Sequence, residues 1–493
     1  MKIFDFTYIY TKWILLALMI IAATLRIIGA NTIPLNLEEQ LLWFVGTQKS
    51  ILEVFEAILQ FQPNTPIIAF TTWMTNFKNI QNETLSRLPS LISGIVAIPL
   101  IFILARKFYS EIEGLIAASF VTFNWICINN SQTLNEYSIL FSATLLYFIS
   151  LMTFLDRISE ENVVEKSDSV LLIFSGIVLG FTSICGILTI LVTFFYSFFF
   201  IKKIDTFFRT VAHFITILLP LAIYLLFLSY ISENLYTTTF EAIYFFEGLN
   251  FIIANNLFFT VLICSPLLFL AFIYIKRLIK PSDFGEDSKT KFSNSTLILT
   301  IWLFGSIILL LVLAIFLKFD FKFNDLIIFL PPIIILIARS LVLTTTKLNN
   351  KIILGSILSL VIIITYILNF KNLYINPEYE RVSRYIKFQT PENPKYGIIF
   401  AGNAGGKNYQ IPVEASNFYL KKNDIHFPTF TFGSQEENIS AVLKKIKKEN
   451  ITYVWIICDT TVIDSKFIRA LKKNINLVDG FRYKKIILFK ATV

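Results

Sequence analysis

The chain has 493 residues, of which 55% are hydrophobic and only 16% charged, with mean hydropathy +0.67 and formal net charge +9. Soluble proteins are about 45–50% apolar and about 25% charged. This composition therefore excludes a water-soluble globule, a disordered regulator and a disulfide scaffold, and reads as a polytopic α-helical membrane protein.

Apolar runs long enough to span a bilayer, about 17–25 residues or somewhat shorter where sheltered, fall at 12–28, 86–105, 114–130, 136–155, 169–184, 186–201, 208–230, 256–275, 295–317, 326–343 and 351–370. The stretch 169–201 is too long for one helix. With Ser183, Cys185 and Gly186 at its middle, it predicts two short helices joined by a tight turn. The first run is flanked by Lys2 and Lys12 and lacks a small-residue cleavage site, so it is read as a retained helix. Eleven spans with the N-terminus inside place Arg106, Lys107, Arg157, Lys166, Lys202, Lys203, Lys276 and Arg277 in inner loops. The outer loops then hold only Lys49, Lys78, Arg87, Lys318 and Lys322, the bias expected of a cytoplasmic N-terminus. Residues 371–493 fall outside. The abundance of Lys, Asn, Ile and Phe points to a bacterial inner membrane and a periplasmic tail.

Two outer loops carry more than connection. Residues 29–85 contain NLEEQLLWFVG and SILEVFEAILQF, whose spacing predicts amphipathic helices in the interface with Trp43 at headgroup level. Residues 231–255 hold Glu233, Glu241 and Glu247 among aromatics. Loops on one face would roof a cavity for a lipid-borne substrate.

The tail is different in kind. Strand-like YGIIFAG (396–402), TYVWIIC (452–458) and KIILFKA (485–491) alternate with helical patterns at 437–448 and 465–474, which predicts a small α/β domain. GNAGG at 402–406 lacks GxGxxG spacing and is read as a Gly-rich loop. A transmembrane domain of residues 1–370 has 23 basic and 23 acidic residues, whereas residues 371–493 have 20 and 11, so the net charge belongs to the tail. That charge is either a solvated face or an attraction for anionic lipid or acidic glycan.

Scarce residue types narrow the chemistry. His213 and His426 lie far apart, and Cys127, Cys185, Cys264 and Cys458 show no ligand spacing, which argues against zinc, haem or thiol chemistry. Glu38 and Glu39, just past the first span, stand out. They are either an acidic first turn favoured by the helix dipole or a general base that takes a proton from an incoming hydroxyl. The same face carries QPNTP (62–66), Arg87 in LSRLPS, and NNSQTLNEYS (129–138).

This order of motifs, with an ARKFYSEIEGLIAA hairpin between RLPS and SQxxxxYS, resembles the GT-C superfamily of integral-membrane glycosyltransferases. The nearest branch holds protein O-mannosyltransferases and the bacterial aminoarabinose transferase of lipid A. The resemblance covers the first 155 residues and continues more weakly to LPP at 330–332. It implies a transferase that moves a sugar from a polyprenyl-phosphate donor to a hydroxyl of a lipid, glycan or protein, with inversion. Glu38 takes the position of the family's Asp, the proposed base, and Glu39 that of its Glu. Arg87 matches the Arg of RLPS, which would hold the donor phosphate or a loop carboxylate, and Gln132 and Tyr137 fall on the SQxxxxYS segment as substrate-binding residues. Thr133 and Asn135 replace a Glu and an Arg common in the family, and Asn324-Asp325 replaces an Arg-Tyr. Lys318 or Lys322 would then meet the phosphate as a point charge. The residues require no metal, although carboxylates could recruit a divalent cation. The alternatives are a non-catalytic relative that binds lipid-linked glycan or scaffolds an envelope complex, and a lipid-linked substrate transporter. The latter is disfavoured because the sequence shows no internal repeat or paired broken helices.

Overall fold

A computed structural model describes residues 2–33, 35–61, 66–75, 82–160, 165–198, 204–231, 242–279, 296, 298–317, 323–344, 348–373, 379–390, 396–401, 419–420, 425, 427–432, 444–449, 451–459, 469, 473, 475–483 and 486–492. The chain divides into two compact units. One comprises Met1–Ile28, Asn64–Ile68 and Pro89–Phe370; the other comprises Gly29–Pro63, Ala69–Leu88 and Lys371–Val493. Most of the first outer loop thus clusters with the C-terminal segment.

The first unit is a helical membrane body. Six helices among the described residues are long and apolar enough to cross a membrane, or up to eight if each of two bent pairs is one span. Helix α1 (Lys2–Thr32) supplies the first span. The predicted division of 169–201 is present as α10 (Lys166–Thr182) and α11 (Ile184–Ser197). Ser183 breaks the helix and its side chain accepts the Cys185 N–H. Gly186 is needed there because a Cβ would lie 2.3 Å from the Leu179 carbonyl oxygen.

Two helix pairs among the described residues are bent at a short break, each a broken span or a re-entrant loop. Glu111–Phe123 (α7) and Trp125–Gln132 (α8) meet at 55°, and Phe246–Ile253 meets Leu257–Phe272 at 87°. The physical cause lies in asparagines. The Asn124 side chain accepts the Ile126 and Cys127 N–H groups and starts a new helix. Asn255 turns the second pair with φ 51°, a left-handed conformation that Asn tolerates. The Nδ2 groups of Asn124 and Asn369 donate to the carbonyls of Ile253 and Ala254, at 3.0 and 2.9 Å. The 231–255 loop is thus partly the apolar helix Ala242–Ile253, with Glu247 exposed; Glu233 and Glu241 lie outside the described residues.

In the second unit, α2 (Leu37–Gly46) and α3 (Ile51–Phe61) pack around Val45, Val54, Ala57, Ile58 and Ala69. The expectation that Trp43 would sit among headgroups is corrected: it is buried, 5% exposed. Helix α3 keeps its amphipathic character and exposes Ile51, Leu52 and Phe55. The C-terminal segment forms a five-stranded sheet of order β2-β1-β3-β5-β4, with β1 Tyr396–Ala401, β2 Thr429–Phe432, β3 Tyr453–Asp459, β4 Asn476–Tyr483 and β5 Ile486–Thr492. Strand β1 is parallel to β2 and β3, while β5 is antiparallel to β3 and β4. The three predicted strands are β1, β3 and β5. The expected helix at 437–448 is described only at 444–448, where it is helical, and that at 465–474 and the GNAGG loop lie essentially outside the described residues.

Candidate active site

The acidic pair sits at the start of α2, where the chain leaves α1. Asn36 caps this helix. Its Oδ1 accepts the Glu39 N–H at 2.9 Å, and the Glu39 Oε2 accepts the Asn36 N–H at 2.9 Å. This reciprocal capping box is what an Asn followed three residues later by Glu encodes. It fixes Glu39 as a helix-start residue before any partner is considered.

Arg87 then closes on that carboxylate. It ends the short helix Glu83–Ser86, just ahead of α6 (Leu88–Phe108). Its Nε donates to Glu39 Oε1 at 2.9 Å and its Nη2 to Glu39 Oε2 at 3.0 Å, a bidentate fork. Its Nη1 donates to the carbonyls of Ala30 and Ile33, at 2.9 and 2.5 Å. The Arg87 and Glu39 side chains are 0% and 2% exposed. The guanidinium therefore ties the outlet of α1 to the first turn of α2. Glu38 lies in that same turn; its side chain is outside the described residues, as are Lys318 and Lys322.

Gln132 and Tyr137 belong to the membrane body. Gln132 Nε2 donates to the Leu25 carbonyl at 2.9 Å, and Gln132 and Tyr137 are both buried. Ser90 and Ser138 knit the head of α6 to this segment: Ser90 Oγ donates to the Asn135 carbonyl and Ser138 Oγ to the Ser90 carbonyl, at 3.0 and 2.9 Å. Thr133 and Asn135 both bind backbone groups of their own segment. Asn135 Oδ1 accepts the Tyr137 N–H at 3.1 Å, while Thr133 Oγ1 donates to the Asn129 carbonyl at 3.0 Å. Both neutral side chains here satisfy backbone groups.

Arg26 lies near the far end of the first apolar run, 12–28. It is fully buried against the break between α7 and α8. Its Nη2 donates to the Val121 carbonyl at 3.1 Å, its Nη1 to the Thr122 and Ala22 carbonyls at 3.4 and 3.3 Å, and its Nε to Ser131 Oγ at 3.2 Å. The signal that could have found it is a lone arginine inside an apolar run, since such residues face a bundle and meet carbonyls or acids.

No protein-family model matches the chain, and no curated protein matches it in sequence. Solved structures do. The chain is similar to ArnT from Cupriavidus metallidurans in the apo state, with a TM-score of 0.60 at 13% identity over 98% of each chain. It is similar to the same protein bound to undecaprenyl phosphate, with a TM-score of 0.54 at 14% identity over 97% of this chain and 98% of that one. The archaeal oligosaccharyltransferase AglB from Archaeoglobus fulgidus, in complex with an inhibitory peptide and a dolichol-phosphate, matches with a TM-score of 0.51 at 12% identity, over 98% and 74% of the respective chains. At these identities the likeness is one of fold. The chain shares the fold of these solved structures over 97–98% of its length, and its described residues hold six helices, or up to eight if each bent pair is one span, that are long and apolar enough to cross a membrane.

Proposed function

We propose that this GT-C-fold chain is a membrane glycosyltransferase that moves a sugar from a polyprenyl-phosphate donor to an acceptor hydroxyl on the outer face of a bacterial inner membrane. The single observation that carries the reading is the buried Arg87–Glu39 fork, which holds an acidic helix start at the outlet of α1. Structurally similar proteins bind undecaprenyl phosphate and dolichol-phosphate.

The two carboxylates divide the work. Both oxygens of Glu39 are engaged, by Arg87 and by the Asn36 amide. Glu38 is the base: it removes the acceptor proton as the hydroxyl oxygen attacks the anomeric carbon. The bond from that carbon to the phosphate oxygen breaks, and lipid phosphate leaves with the electron pair. A single displacement inverts the anomeric configuration. By the sequence resemblance, Lys318 or Lys322 is assigned to the donor phosphate, and Gln132 and Tyr137 to substrate binding.

The test is release of lipid phosphate. Purified protein incubated with polyprenyl-phosphate sugars and candidate acceptors should liberate polyprenyl phosphate and form a product of inverted linkage. Stoichiometric donor binding with no release across such a panel would instead favour a non-catalytic glycan-binding relative.

A further inference from the structure

Most of the first outer loop and the C-terminal segment belong to one compact unit, and one contact within it joins the tail to the start of α2. Tyr419, 2% exposed, places its hydroxyl oxygen 2.5 Å from the backbone nitrogen of Leu35, which donates to it. Leu35 is fully buried and immediately precedes Asn36, the cap of α2. A buried amide without a partner is costly, so this hydroxyl satisfies a group that neither α1 nor α2 serves. Around it, Arg87 holds the Ile33 carbonyl, Gln40 Nε2 holds the Leu35 carbonyl at 3.3 Å, and the capping box holds Asn36 and Glu39. Those anchors all come from within residues 36–87. Tyr419 is the one among these contacts that comes from a distant part of the chain, 384 residues away.

We infer that Tyr419, carried by the C-terminal domain, is a positioning residue that fixes the Leu35–Glu39 segment, the backbone that carries the acidic pair. Its consequence for turnover rests on the glycosyltransferase reading; the anchoring does not. Burial, with Glu83 nearby, pushes the Tyr419 hydroxyl well above the usual tyrosine range. Its proton is therefore retained, and its oxygen accepts from Leu35 as a neutral phenol. The basic outer domain thereby acquires a task at the acidic loop.

Tyr419→Phe keeps the ring and removes only the hydroxyl. Amide exchange in a peptide covering 33–46 should rise about tenfold, while peptides covering 451–459 and 486–492 keep wild-type protection. With any donor that the wild-type protein turns over, kcat should fall about tenfold at unchanged KM, because a small misplacement of a reacting group costs rate and not binding. Binding of undecaprenyl phosphate alone should be unchanged. Wild-type exchange over 33–46 in the variant overturns the anchor. Faster exchange with wild-type kcat overturns the positioning role. If the wild-type protein releases lipid phosphate from no donor, the glycosyltransferase reading falls, and the exchange result alone decides whether the tail anchors the loop.

Discussion

Arg26 in the membrane body and Arg87 in the loop-1 unit are both fully buried, yet they are satisfied by different partners. Arg26 meets three carbonyls and a serine hydroxyl. Two of those carbonyls, Val121 and Thr122, lie in the last turn of α7, where Asn124 has claimed the next amides for α8. The negative end of a helix and its orphan carbonyls absorb the positive charge. Arg87 meets a carboxylate through both of its oxygens. The first arginine serves as a cap on a broken span; the second is half of a buried ion pair. A buried cap can be removed without stranding a charge, and a buried pair cannot.

The largest expected effect follows from that asymmetry. Arg87→Met leaves Glu39 buried and uncompensated, and should cost about 3–5 kcal/mol, read as a lowered unfolding midpoint in detergent. Arg87→Lys should restore little, because an ammonium cannot make the two-pronged contact. Arg26→Met strands carbonyls but no charge, and should cost about 1–3 kcal/mol by the same measurement. If Arg26→Met proved the more damaging of the two, the distinction between cap and pair would be inverted.

The sequence shows some of these features and hides others for physical reasons. Apolar runs, the break at Ser183 and the strands at 396, 453 and 486 were legible because burial in lipid or in a sheet imposes a local pattern. The acidic pair and Arg87 are legible as chemistry, and a loop carboxylate is one of the two partners that the sequence offers Arg87; that it is Glu39, 48 residues away, depends on how α1 ends. The capping box at Asn36–Glu39 is written in local sequence, an Asn followed three residues later by a Glu. The short strands β2 and β4 carry little local pattern. The first has only four residues, and the second includes polar Asp479 and Arg482 and a register shift between Leu477 and Asp479. Trp43 was placed at the membrane surface because helical spacing reports an apolar face without naming what covers it. Tyr419 carried no local signal at all, since its partner is a backbone amide of Leu35.

The division between Glu38 and Glu39 is the centre of the account, and one paired measurement addresses it. Turnover of a polyprenyl-phosphate sugar and the unfolding midpoint are recorded for Glu38→Gln and Glu39→Gln side by side. Glu38→Gln should lose about 10²–10⁴ in turnover at a wild-type midpoint, while Glu39→Gln should lower the midpoint through its broken fork. Near-wild-type turnover in Glu38→Gln would contradict the assignment.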